Sequence, residues 1–150
     1  MTQISIHQAD DFHCHLRDGA FLRRTAHDSA AQFARVLAMP NLTPPIRTLK
    51  QAIEYKQRIL NAAPTTGLQP FIALYLNHST TVTEIEQAAA NPTTLAYKLY
   101  PAGATTNSAD GIKNFESCQH LFAALENLLC NIRNLFSRSL MFPNFSFDTT

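Results

Sequence analysis

The 150 residues predict an α/β protein built on a parallel sheet. Three observations carry that expectation. Apolar runs of strand length recur at Val36-Leu37-Ala38-Met39, at 71–76 and at 95–100. Stretches with apolar residues at helical spacing separate them. The residues suited to chemistry all fall at the C-terminal end of a strand-like run or in the loop after it. Strands alternating with helices imply right-handed crossovers and parallel neighbours.

The first strand is expected somewhere in Ile4 to Leu16. Phe21, Leu22, Ala26, Ala30 and Phe33 then share one helical face. The second strand, 36–39, ends at Pro40-Asn41, and Pro44-Pro45 forbids regular structure just after it. Thr48-Leu49-Lys50-Gln51 has the form of a capping box, opening a helix to about Ala63 with Leu49, Ala52, Ile53, Ile59 and Leu60 as its apolar positions. Pro64 and Gly67 punctuate its exit before the third strand, Phe71 to Leu76. Thr83-Glu84-Ile85-Glu86 reads as a second capping box for a short helix through Ala90. The fourth strand is Leu95 to Tyr100, a polar loop runs from Pro101 to Gly111, and helix returns from Asn114 to about Leu129.

Four β-then-α units in order make up the N-terminal half of a TIM-type (β/α)8 barrel, a fold that takes ~250 residues and works at the C-terminal ends of its strands. The composition agrees with a globular chain and excludes several partners. At 45% hydrophobic, 15% charged and net charge +1, it has no electrostatic footprint for nucleic acid and no basic run for a membrane surface. No apolar run approaches the ~20 residues that span a bilayer, and the first residues lack the pattern of a secretory signal. Cys14, Cys118 and Cys130 are odd in number and lack CxxC spacing. Reduced thiols in the cytoplasm are therefore expected.

The stretch 11–19, Asp-Phe-His-Cys-His-Leu-Arg-Asp-Gly, carries the most chemistry. On a strand, His13 and His15 point to one face and Cys14 to the other. Two imidazoles there supply half of a zinc site, or are simply two satisfied polar residues at a strand end. Lys98 sits inside an apolar run, where an ammonium is costly to bury. It is either a lysine snorkelling from the strand end or an amine made neutral by burial, able to take up carbon dioxide. The resulting carbamate has two oxygens that can bridge two metals. Asn41 is either a turn-former beside proline or a neutral donor aimed into a site. Arg17 is either a solvated charge or a bidentate clamp for a carboxylate. Thr105 and Thr106 sit in an ordinary polar loop or in one that closes over a ligand. His7, His27, His78 and His120 have no ligand spacing. No histidine base is expected near Cys118 or Cys130, so nucleophilic catalysis is not expected.

Three blocks taken together resemble dihydroorotase, in its shorter bacterial form within the amidohydrolase superfamily. They are residues 11–19, Met39-Pro40-Asn41-Leu42, and 98–108, which reads Lys-Leu-Tyr-Pro-Ala-Gly-Ala-Thr-Thr-Asn-Ser. The resemblance runs from about residue 8 to about Glu126. It implies a hydrolase that reversibly converts L-dihydroorotate to N-carbamoyl-L-aspartate in pyrimidine (UMP) synthesis. It also implies two zinc ions, held in part by His13, His15 and Lys98, the lysine carboxylated and bridging. The substrate-binding set it implies is His15, Leu16, Arg17, Asn41, Thr105 and Thr106. The partners it implies are that small-molecule substrate and a second copy of the chain in a homodimer.

The same resemblance implies two more histidine ligands and a catalytic aspartate on later strands, which these residues do not include. Residues 127–150 contain no histidine and no glycine, and Asp148 is their sole carboxylate side chain. They read as an atypical tail, foreign to a barrel spanning 1–126, either disordered or the product of out-of-frame translation; a genuinely shortened gene is the alternative. Little or no catalysis by this chain alone is the expectation. Two other readings stay open: a truncated, non-catalytic chain that binds zinc or a partner, and another cyclic-amide hydrolase.

Overall fold

A computed structural model describes residues 7–103 and 111–126. The chain runs β1 (Ala9–Cys14), α1 (Leu22–Ala30), β2 (Phe33–Ala38), α2 (Leu49–Ala62), β3 (Gln69–Leu76), α3 (Val82–Ala89) and β4 (Thr94–Leu99). A 3-10 turn at Gly19–Phe21 leads into α1. Another at Glu116–Cys118 leads into helix over residues 119–126. The four strands form one parallel sheet in the order β1-β2-β3-β4. This is the strand order of half a (β/α)8 barrel, as the alternation of strand and helix signals predicts. The expected tail, 127–150, lies outside the described residues.

Local sequence explains most helix starts. Thr48 Oγ1 accepts the Gln51 N–H at 3.3 Å while Gln51 Oε1 accepts the Thr48 N–H at 3.1 Å, the reciprocal box expected there. The second box is displaced from its expected place. Thr81 and Glu84 form it, not Thr83 and Glu86. The turn after β3 decides this. The Asn77 side chain accepts from the Ser79 N–H and hydroxyl, and the Thr80 N–H donates to the Asn77 carbonyl. The helix can therefore start at Val82, which turns Ile85 and Ala88 inward to full burial.

The main core lies between the sheet and its helices. Cys14 and Leu16, Val36 and Ala38, and Ile72 and Leu74 point to that side and meet Leu22, Ala26, Ala52, Tyr55 and Ile59. Two helical faces differ from the expected ones. Phe21 sits in the 3-10 turn, 71% exposed, and Phe33 belongs to β2. On α2 the buried positions are Ala52, Tyr55 and Ile59, while Ile53 is exposed. The opposite face of the sheet holds a smaller cluster of Leu37, Met39 and Ala73, with Phe71, Leu95 and Ala96 packed against it. A third cluster, Leu76, Ile85, Ile112, Cys118 and Leu121, seats the last helical segment on the end of the sheet.

Candidate active site

Strand alternation places the chemistry. Cys14 and Leu16 are buried on the helix side, so His13 and His15 turn to the other face, and both are exposed. Their ring centroids are 5.3 Å apart. The Asp11 side chain steadies the strand end by accepting the His13 N–H at 2.8 Å. Cys14, as the alternation requires, packs inward with Sγ 3.5 Å from Ser29 Oγ, and burial pushes its thiol pKa up.

Lys98 is half-buried on β4, in register with Tyr75. Its Nζ stands 5.3 Å from the Tyr100 ring centroid, and Tyr100 packs on Tyr75 at 5.5 Å. His15 registers this neighbourhood. Burial lowers its pKa, and the nearby positive charges of Arg17, then His13, then Lys98 lower it further. The charges of Arg17, His13 and Lys98 thus reach His15 and favour its neutral form.

Arg17 leaves β1 with φ at +62°, the left-handed region. Three contacts hold it there. Tyr55 Oη donates to the Arg17 carbonyl at 2.5 Å. Thr25 Oγ1 donates to the Leu16 carbonyl at 2.5 Å. Asp18 takes both Nε and Nη2 of Arg58, the latter at 2.8 Å. Burial pushes the Tyr55 phenol pKa up, which keeps it a donor. Leu16 contributes its side chain to the core, not to the open face.

Asn41 is buried at the end of β2, and its Oδ1 accepts from Tyr100 Oη at 2.8 Å. The loop after it folds over the sheet, with the Tyr75 N–H bonded to the Ile46 carbonyl at 2.7 Å. A cavity of about 660 Å³ opens there, lined by Arg17, Asn41, Leu42, Ile46, Glu54 and Arg58 among others. It takes in the two residues expected to meet a carboxylate but not His13, His15 or Lys98. Thr105 and Thr106 lie outside the described residues.

His13 and His15 are spaced as two ligands of one metal ion would be. Two imidazoles on one tetrahedral zinc at about 2.0–2.1 Å place their ring centroids roughly 5 Å apart, the separation seen between His13 and His15. Among the described residues no group of three or more His, Cys, Asp and Glu side chains is placed to hold a metal ion.

One expectation is overturned. Cys118 does have a histidine neighbour, with Sγ 3.5 Å from His78 Nδ1. The Lys113 N–H occupies Nε2 of the same ring at 2.8 Å. The thiol is 1% exposed, so the pair ties the last segment to the end of β3. Sequence reasoning also missed Tyr55 and Tyr100. Tyr55 stands between Glu54 and Lys56 and Tyr100 closes the run 95–100, and neither hydroxyl's role has a local signal.

Comparison with known proteins follows the same lines. No family model matches the chain. The dihydroorotase of Idiomarina loihiensis is 47% identical over 127 residues, which is 84% of this chain and 37% of that protein. The dihydroorotase of Acaryochloris marina is 45% identical over the same shares. The crystal structure of Campylobacter jejuni dihydroorotase superposes with a TM-score of 0.75 at 34% identity, covering 81% of this chain and 36% of that one. Dihydroorotase from Saccharomyces cerevisiae, solved with 5-fluoroorotic acid, gives 0.72 at 33%, covering 80% and 33%. The chain spans a little over a third of the length of these relatives, and over that span it is a dihydroorotase homologue.

Proposed function

We propose that this chain carries part of a zinc-dependent dihydroorotase site. His13, His15 and Lys98, the last as N6-carboxylysine, hold metal. Arg17 and Asn41 receive the carboxylate of dihydroorotate, with His15, the Leu16 backbone, Thr105 and Thr106 completing the substrate contacts. The observation that carries the reading is the pairing of the His13 and His15 rings on the open face at the end of β1, with centroids 5.3 Å apart. Two imidazoles on one face at that spacing suit a shared metal ion.

Bound zinc supplies Lewis acidity toward the ring amide carbonyl. The remaining work falls to the chain. The imidazoles of His13 and His15 present ring nitrogens as ligands. The Arg17 guanidinium offers a planar fork that pairs both oxygens of a carboxylate. Asn41 offers Nδ2–H as a neutral donor beside it. A neutral Lys98 Nζ adds to carbon dioxide, forming an N–C bond and releasing one proton, and so becomes an oxygen ligand. Cytoplasmic placement and pairing of two copies belong to the same reading.

The second reading is a chain that binds zinc without turnover. One experiment separates the two. The full chain is purified with zinc and bicarbonate, then assayed for dihydroorotate hydrolysis and for zinc per chain, beside His13→Ala and Lys98→Arg. Zinc that is lost in His13→Ala supports the metal site. Turnover that is lost in Lys98→Arg supports the enzyme. Zinc without turnover selects the second reading, and no zinc at all overturns both.

A further inference from the structure

Tyr100 touches both halves of the proposed site, Asn41 and Lys98. Its hydroxyl donates to Asn41 Oδ1 at 2.8 Å, across 59 residues of sequence. Its ring lies against Tyr75 and within 5.3 Å of Lys98 Nζ. A side-chain amide has an accepting end and a donating end of nearly the same shape, and its partners decide which faces a ligand. Asn41 is buried, so it has few other partners to choose between.

We propose that Tyr100 is a positioning residue: its hydroxyl, by engaging Oδ1 of Asn41, turns the Nδ2–H end of that amide toward an incoming carboxylate. The inference rests on the reading that Arg17 and Asn41 receive the substrate's carboxylate. Were the amide reversed, its carbonyl oxygen would meet the anion and repel it. The phenol ring has a separate task, packing on Tyr75 with the Lys98 Nζ over its face. Tyr100→Phe removes the first task and keeps the second, so the fold and the lysine's surroundings are retained.

The test measures orotate affinity of the full zinc-supplemented chain by titration calorimetry, for Tyr100→Phe, Asn41→Ala, their double variant and Arg17→Met. Loss of one neutral hydrogen bond weakens orotate binding by roughly 3- to 10-fold in Tyr100→Phe. The same substitution made on top of Asn41→Ala has no further effect, because Tyr100 acts through that amide. A purely structural role would weaken binding equally in both backgrounds. That result, or unchanged affinity in Tyr100→Phe while Arg17→Met is weakened, overturns the inference and leaves the carboxylate site standing. Absence of orotate binding by the unsubstituted chain, or unchanged binding in Arg17→Met, overturns the carboxylate site itself.

Discussion

Replacing Tyr55 with phenylalanine removes a single oxygen from the contact between α2 and the loop after β1. That side chain is 0% exposed, and its hydroxyl donates to the Arg17 carbonyl at 2.5 Å. Phenylalanine fills the same space but leaves the carbonyl without this partner, a loss of about 1–3 kcal/mol. Part of this is returned. Arg17 holds φ at +62°, and a left-handed L residue carries roughly 1–2 kcal/mol of strain, some of which is relieved once the loop is released. The net expectation is a destabilisation of about 1–2 kcal/mol. For a chain of this size that is a fall in Tm of roughly 2–8 °C. Urea and thermal unfolding of the full chain, followed by circular dichroism, measure it, with the urea slope unchanged because no large surface is newly exposed. A loss below about 0.5 kcal/mol, the level of a neutral surface change, refutes the argument that this hydroxyl holds the Arg17 backbone.

Two further outcomes follow from geometry already described. Thr81→Ala weakens the chain by about 1 kcal/mol while Thr83→Ala changes it by less than about 0.5, because only Thr81 caps α3; unfolding midpoints of the two variants decide it, and the reverse order would place the helix start at the other box. The His15 pKa is lowered in the fold from 6.5, so the unfolded chain takes up a proton there first. Stability from this residue is therefore intact above pH 6.5 and declines as pH falls below it, down to the folded value. Urea midpoints between pH 7.5 and 5 should fall less steeply in His15→Gln than in the unsubstituted chain, and parallel curves would contradict the assignment.

The elements legible in the residues are those set by short-range periodicity. Alternation along Phe12-His13-Cys14-His15-Leu16 is enough to send Cys14 and Leu16 to the core and the two histidines to the other face. The Thr48–Gln51 box marks the start of α2 because its bonds span only three residues. The chain of parallel strands follows from strand and helix signals in turn. Where local signals are degenerate, the surrounding turn decides between them. Two Ser/Thr-x-x-Glu boxes overlap between Thr81 and Glu86, and the turn built on Asn77 selected the earlier.

By itself, then, the sequence determined which faces the side chains take, the order of the strands, and which residue types stand at their C-terminal ends. These depend on backbone periods of two and 3.6 residues, which any short window displays. Only the tertiary structure decided how those ends are tied together. Tyr55 reaches Arg17 across 38 residues, Tyr100 reaches Asn41 across 59, and His78 reaches Cys118 across 40. Each of these bonds joins segments whose separation is set by the packing of helices on the sheet. A hydroxyl or a thiol carries no local sign of the partner that packing will bring to it.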